Sequence, residues 1–538
     1  MNKSVMKLIS ISFLALFVFS LCWVKETRAM IPLLDGKLQL KGSFDTFMFL
    51  RTHIPGQERD FHSSNVTELL NTAHLEAFYN MAQKGDLTIN IQAIFRYYFE
   101  AMTVLDREMH NGMSPGMRNR YEYPAYYHDD PVNELYLEII KGPWNVRMGK
   151  QIVTWGETSL QRTADVVNPL DIRYSVPGIV PFEDIKLGLW MLRTFYQSEL
   201  PGHLLFETIF VPTDHQMMRL PNEGTNWGPG LLNLDDPNSM GNGLFTLLQN
   251  GWKNDRPSRR SIKDYQWGWR VTGDTKGVLW TLLYYDLVDC LPVGNPNKAN
   301  QQVLAFFTER AILGGGPYDV KLFDDVWEYK RTKYAGGTLQ WYEQVYTQSI
   351  VRGEVAYQMG QHYNTTNYYG KDVWIPPFTY KGMTLGGSYS NMKSLVTGIE
   401  KRDGIGYGLA IDRPTLWPWL MKYNDNRKVD IGIQLFQDWI LKHSHDLSVS
   451  SRGRGDRSST SATLFLQSSF LRQEIMLTYN GSYNFTGRGY HVWDCLYAPG
   501  DHWRYTVGCI FYWNTTSWTQ EKGNYDKDCV YFRLKYEW

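Results

Sequence analysis

The final nine residues constrain the fold more than any other stretch. Val530, Phe532, Leu534, Tyr536 and Trp538 alternate with Tyr531, Arg533, Lys535 and Glu537. One face of this strand is wholly apolar and the other polar, which a strand between lipid and a wet lumen requires. The chain also ends on an aromatic residue. Phe532, Leu534, Tyr536 and Trp538 therefore look like an outer-membrane insertion signal, read by the barrel-assembly machinery. A soluble edge strand can share the alternation, so the rest of the chain has to agree.

The other end does agree. Residues 1–29 read as a secretory leader, with Lys3 and Lys7, the apolar run Leu8–Val24, and Thr27-Arg28-Ala29 as a cleavage site. The run is short for a retained membrane helix. Residues 30–538 then form one barrel domain. Past the leader no stretch of about 20 apolar residues occurs, which excludes helical spans. Yet aromatic residues make up 15% of the chain, with 20 Trp and 35 Tyr, an excess that suits interfacial girdles better than a soluble core. A mean hydropathy of -0.39 fits, because half of each strand faces a polar lumen. The 55 basic and 55 acidic residues balance, which argues against nucleic acid as a partner. Strand parity turns Cys509 to one face with Val507 and Phe511, and Cys529 to the other. A bridge between those two is not expected, and the even count with Cys290 and Cys495 leaves other pairings open. No C-x-x-C-H occurs, which excludes covalent c-type haem.

The alternation recurs along the chain. Lys37–Arg51 is the first strand, with Gly42 marking a bend. Thr72–Met81 and Leu87–Phe99 join at Gln83-Lys84-Gly85-Asp86, and Glu134–Ile140 joins Trp144–Thr154 at Lys141-Gly142-Pro143. Lys186–Gln197 meets Leu204–Phe210, Tyr265–Val271 meets Val278–Val288, and Tyr329–Trp341 meets Ser349–Tyr357. The irregular region Leu385–Asp412 holds one strand, and Pro414–Asn426 reads as a short interfacial helix. Val429–Ile440, Ser459–Phe470, Glu474–Tyr483, His491–Tyr497 and Trp503–Trp513 precede the last strand. The expected fold is all-β: a transmembrane antiparallel outer-membrane barrel of about 18 strands, with 16 as the alternative. Both termini and the short turns lie in the periplasm, and the long loops lie outside, partly folded into the lumen. Residues 212–262 are an external loop or an inward-folded constriction. Their basic end, Lys253–Arg260, is a solvated face near lipid headgroups.

One excursion stands apart. Arg147–Tyr174 runs out of a strand into a long turn with no strand period, and Lys186–Arg193 resumes the alternation. This stretch resembles an exported Gram-negative family catalogued as domain of unknown function thirteen-hundred-and-two. The resemblance is carried by Gly149-Lys150-Gln151, Trp155-Gly156-Glu157, Asp165-Val166-Val167-Asn168-Pro169-Leu170-Asp171 and Trp190-Met191-Leu192-Arg193. It is looser at Arg352-Gly353-Glu354-Val355-Ala356-Tyr357 and at Asp412-Arg413-Pro414. It implies an outer-membrane barrel and a link to RND-type exporters; apart from the resemblance, a periplasmic carrier is the alternative partner. It carries no catalytic residues with it.

Trp155-Gly156 permits a tight bend, and Asn168-Pro169 starts a turn. Arg162, Asp165, Asp171, Arg173, Glu183 and Asp184 put both charge signs into the same excursion. Folded into the lumen, Glu157 would pair with Arg162 or Arg173. The charges would then either brace the segment or set the field of a pore. Trp155, Gly156, Glu157, Arg162, Asp165, Asn168, Pro169, Asp171 and Arg173 are thus the candidate lumen or plug residues.

Enzyme readings lack a nucleophile with its base. No G-x-S-x-G elbow is present, and the histidines are scattered. Met109, His110, Met113 and Met117 could hold Cu(I), but without Cys or further His they read as loop packing. No catalytic residue, metal or cofactor is expected. Two classes of function remain. One is a porin-like channel, or the outer-membrane stage of an export or lipid transport system, passing small or lipophilic molecules. The other is a non-conducting barrel that scaffolds a periplasmic or surface partner.

Overall fold

The alternating strands pair edge to edge until the sheet closes on itself in the computed structural model. It describes residues 31–52, 66–102, 131–158, 163–172, 179–180, 182–212, 215–216, 218–219, 264–290, 292–313, 326–366, 372–389, 395–417, 428–447, 457–485, 487–514 and 528–538. The strands are β1 (Ile31–Leu33), β2 (Leu38–Arg51), β3 (Val66–Lys84), β4 (Leu87–Glu100), β5 (Val132–Lys141), β6 (Trp144–Gln151), β7 (Leu189–Gln197), β8 (Leu205–Val211), β9 (Gln266–Thr275), β10 (Val278–Val288), β11 (Val293–Gly294), β12 (Trp327–Glu328), β13 (Arg331–Glu343), β14 (Ser349–Thr366), β15 (Val373–Tyr380), β16 (Met383–Tyr389), β17 (Val396–Thr415), β18 (Val429–Ile440), β19 (Ser458–Phe470), β20 (Ile475–Asn484), β21 (Arg488–Tyr497), β22 (Trp503–Asn514) and β23 (Cys529–Glu537). The helices are α1 (Phe182–Ile185) and α2 (Pro296–Leu313).

Each of β2–β10, β13, β14 and β17–β23 pairs antiparallel with the next, and β23 returns to β2 from Arg51↔Cys529 to Ser43↔Glu537. That closes an 18-stranded barrel, because the three-residue β1 only adds to the edge of β2. Closure removes every sheet edge from lipid. The last strand behaves as its alternation requires. Phe532 and Leu534 are exposed on the outer face, at 39% and 36%. Tyr531 is buried inside, and Arg533 Nε donates to Asp45 Oδ2 at 2.8 Å across the seam. Outward-facing tryptophans sit at both ends of the strands. Trp144 and Trp341 lie near the short turns, while Trp190, Trp267, Trp439 and Trp513 lie at the opposite end. These are the two girdles of a membrane barrel.

Gly42 does not mark a bend. β2 runs past it in unbroken register with β3, and its backbone pairs with Trp538 at 3.1 and 3.3 Å. A Cβ there would fall 2.2 Å from the Trp538 ring. Glycine is needed because the terminal indole lies on the backbone. Gly42→Val is expected to displace Trp538 and cost about 1–3 kcal/mol, the usual range for overpacking. The readout is a lower temperature for loss of the heat-modifiable gel shift.

Two expected strands are shorter than their alternation suggested. β6 ends at Gln151 and β7 begins at Leu189, since Asn168 and the Thr154 and Lys186 side chains take over the backbone and polar contacts between them. The irregular region does hold one barrel strand, β17. Pro414 and Thr415 belong to its end, paired with Asp430 and Val429, rather than to a helix. Residues 418–427 lie outside the described residues, as do the proposed leader, Met109, His110, Met113 and Met117, and Lys253–Arg260.

The hairpin β15–β16 and the helix α2 were not anticipated. α2 follows a readable start: Asn295 Oδ1 accepts from the Asn297 and Lys298 amides at 3.1 and 3.2 Å, with Pro296 at the first helical position. Val303 and Leu304 pack on Val373, Ile375 and Leu395. Among the described residues no helix is long and apolar enough to cross a membrane.

Candidate functional site

Between β6 and β7, the described parts of residues 152–188 lie in the lumen as a strap. Its first part is bound to the wall. Trp155 is 0% exposed and packs edge-on against Tyr285 of β10, with ring centroids 5.8 Å apart. Val153, Trp155, Ala164 and Val167 join Met191, Ile209, Leu283 and Tyr334 in one apolar cluster. These wall residues face the lumen by strand parity, so the barrel has an apolar inner patch that the strap covers from water. Burying it is the main reason the strap holds its place.

Polar ties then fix the register. Asn168 accepts from the Val153 amide at 2.8 Å and donates to the Gln151 and Leu187 carbonyls at 3.2 and 2.8 Å. It fastens both ends of the excursion together. The Pro169 carbonyl accepts from the Leu187 amide at 2.8 Å. Lys186 Nζ lies 2.6 Å from Asp165 Oδ2 and donates to Thr154 Oγ1 at 2.6 Å. Asp171 pairs with Arg219 at 3.2 Å. Arg219 also bridges to Asp171 through the backbone, so the described start of the long connection folds inward onto the strap.

Two wall carboxylates do the rest; neither was among the candidate site residues read from the sequence, though Glu354 lies in the looser motif at 352–357. Glu207 on β8 is 1% exposed. It accepts from Trp155 Nε1 at 3.1 Å, Arg193 Nε at 2.6 Å and Arg270 Nε at 2.9 Å. Glu354 on β14 accepts from the Glu157 amide at 3.3 Å, the Thr163 amide at 3.2 Å and the Thr158 hydroxyl. Beside it Arg352 donates to the Glu157 carbonyl and pairs with Asp412 of β17. A Cβ at Gly156 would sit 3.0 Å from both Asp165 Cβ and Glu354 Oε2, so this glycine permits the close approach.

The expected partners of Glu157, Arg162 and Arg173, lie outside the described residues. Its electrostatic neighbours are Arg270 and Arg352, which pull its carboxyl down, and Glu354, which pushes it up. Burial outweighs the arginines and holds the Glu157 carboxyl above its usual range.

The far part of the strap reaches other strands. Asp184 in α1 accepts from Arg96 of β4 through its carbonyl and carboxylate, at 2.6 and 2.7 Å. Ile179 packs on the cluster of Phe47, Phe49, Leu70, Val492, Ile510 and Tyr531, which spans β2, β3 and β21–β23. From β2 to β14 is ten steps around the barrel one way and eight the other. The strap therefore touches nearly opposite walls and crosses the lumen. The specific motif at 149–193 and the looser ones at 352–357 and 412–414 meet at this crossing.

A profile described as "Protein of unknown function (DUF1302)" matches residues 125–537, which include the strap and most of the barrel. The chain belongs to this family. A search of the curated proteins found no match. Some solved structures resemble it at low identity. Acinetobacter baumannii OccAB1 is 11% identical, with 95% of this chain and 98% of that one covered and a TM-score of 0.43. Pseudomonas aeruginosa OccK11 (OpdR) is 8% identical over 93% and 95%, at 0.43. Salmonella typhi OmpF, in complex with daunomycin, is 9% identical over 93% and 97%, at 0.38. This family member is a closed, 18-stranded antiparallel barrel.

Proposed function

We propose that the protein is a channel in which the strap forms the constriction, admitting small solutes past the charges that anchor it. The observation that carries this reading is the crossing itself. A segment tied to Glu354 on one side and to Arg96 on the other narrows a lumen that 18 strands would leave wide. Arg270, Arg352, Glu157 and Glu354 gather at one end of it, a local field of both signs of the kind that sets selectivity in pores. Which solute passes, in which direction, and whether an exporter delivers it belong to the same proposal and need the same measurement.

The test is single-channel conductance of the refolded protein in a planar bilayer, with selectivity read from reversal potentials. Glu157→Gln leaves Arg270 and Arg352 in place and removes one negative charge. Selectivity is expected to shift toward anions at neutral pH. The sign also fixes a pH dependence. Because the Glu157 carboxyl titrates above its usual range, lowering the pH protonates it early and moves the wild type toward the variant. Below that titration the two coincide. Silence of wild-type protein that shows its heat-modifiable shift would favour the scaffold reading, in which the packed strap is a permanent plug.

A further inference from the structure

The outer face of the barrel changes character where β13 reaches the side of the long loops. By strand parity Lys333, Ala335, Gly337, Leu339 and Trp341 face outward on this strand. From Trp341, in the girdle near the short turns, β13 rises about 20 Å to Lys333 at the usual strand tilt, close to the height of the apolar band. Lys333 lies in register with Asp286 of β10, and Asp286 with Trp267 of the opposite girdle. An ammonium group therefore stands at headgroup level on the outer face. We infer that this point binds a lipid phosphate: a phosphorylated glycolipid of the outer leaflet, held by Lys333 and Lys401 with its acyl chains on the apolar face below. The inference goes beyond the channel reading and needs only that the barrel spans an outer membrane.

Two features leave these lysines open. The first is at Asp286. Arg331 Nε donates to its Oδ1 at 2.5 Å and holds the Tyr265 carbonyl as well. Lys333 stays 4.0 Å from the other oxygen, with 51% of its side chain exposed. The second is a bulge in β14. Gln358↔Gly404 is followed by Gln361↔Arg402, so β14 carries one extra residue there, and Gly360 takes a φ of +72°. A Cβ on Gly360 would fall on the Lys401 side chain, 2.9 Å from its ammonium nitrogen. The bare backbone thus lets Lys401 reach from β17 across β14 toward β13, where Lys333 pairs with Met359. Lys401 is exposed and makes no ion pair among the described residues. Asp403, two residues along β17, is occupied by the Tyr357 hydroxyl at 3.0 Å and the Gly360 amide at 2.8 Å.

An ammonium at the edge of the apolar band is costly unless it meets water or an anion. Here two of them converge, and the carboxylates beside them already accept from other groups. A phosphate supplies the charge and enough acceptor oxygens for both lysines. Leu282, Leu339, Val355 and Leu409 are exposed on the same face below and receive acyl chains. Free phosphate would use the charges alone, and an uncharged lipid the apolar face alone. A phosphorylated lipid uses both.

The experiment is native mass spectrometry of the folded protein in detergent, titrated with diphosphoryl lipid A, with the same lipid dephosphorylated, and with inorganic phosphate as competitor. A saturable lipid adduct is expected, with the dephosphorylated lipid weaker by about ten-fold or more. Lys333→Gln and Lys401→Gln should each weaken diphosphoryl lipid A about five-fold, the usual share of one basic residue at a charged membrane surface, and leave the dephosphorylated lipid unchanged. Lys276→Gln, in the short turn between β9 and β10, should change neither. Gly360→Ala keeps both charges but blocks the path of Lys401, and should match Lys401→Gln. Both lysines are exposed, so their variants report on the site even if Gly360→Ala fails to fold. Equal binding of the two lipids, displacement of lipid A by an equal concentration of inorganic phosphate, or lysine variants that bind as the wild type does, overturns the proposal. The result is separable from the channel reading. Phosphate preference in a protein silent in bilayers would uphold the site and overturn the channel, while conduction without that preference would do the reverse.

Discussion

Glu207→Ala will cause a large loss of barrel stability. The carboxylate is almost wholly buried, and three donors from three places converge on it: Arg193 of β7, Arg270 of β9 and the Trp155 indole of the strap. Removing it leaves two guanidinium groups side by side without the carboxylate to which both donate. Breaking a buried pair from one side costs about 3–5 kcal/mol, because the remaining charge stays buried and unpaired. Here two cations are stranded, so the cost should reach the upper part of that range. Glu207→Gln keeps an acceptor for one arginine and for Trp155, and should cost less. The temperature at which each variant loses its heat-modifiable gel shift gives the ranking. A Glu207→Ala protein as stable as Glu207→Gln would show that water already solvates the arginines.

Glu354→Ala acts on the strap rather than on the barrel. Its carboxylate gathers the Glu157 and Thr163 amides and the Thr158 hydroxyl. Hydrogen bonds to a charged group are worth about 1.5–3 kcal/mol each, and part of that loss is recovered by water. A net local loss of about 3 kcal/mol would raise the population of a displaced strap roughly 100-fold. The apolar packing of Trp155 and Val167 is untouched, so the barrel itself should remain folded. Two readouts follow. Trypsin should cut the variant within the strap, where Arg162 and Arg173 are cleavage sites by sequence, faster than the wild type. Open-channel conductance should rise.

The barrel was legible because a membrane strand obeys one rule, and the rule is local. Each residue faces lipid or lumen by parity alone, so Val530–Trp538 could be read without its neighbours. Strand number and turn positions followed from repeating that reading. The strap was legible as a place, since Trp155-Gly156-Glu157 breaks the period and Asn168-Pro169 marks the turn. Its attachments were not. Glu207, Arg270 and Glu354 lie 52 to 197 residues from the strap atoms they bind, on strands whose alternation looks like any other. The one available sign was chemical: a carboxylate at a lumen-facing position beside small residues, as in Arg352-Gly353-Glu354. The helix α2 was missed for a different reason. Asn295-Pro296 is a fair helix start, but attention to period-two alternation passes over it.

The central claim is that residues 152–188 cross the lumen and set its conductance. The measurement that tests it most directly compares the wild type with a variant in which 156–184 are replaced by a short Gly/Ser linker, both shown to be folded by their heat-modifiable shift. Both proteins should conduct, the variant should pass several times the wild-type current, and its selectivity should no longer respond to pH through Glu157. Equal currents from the two folded proteins, or silence from both, would contradict it.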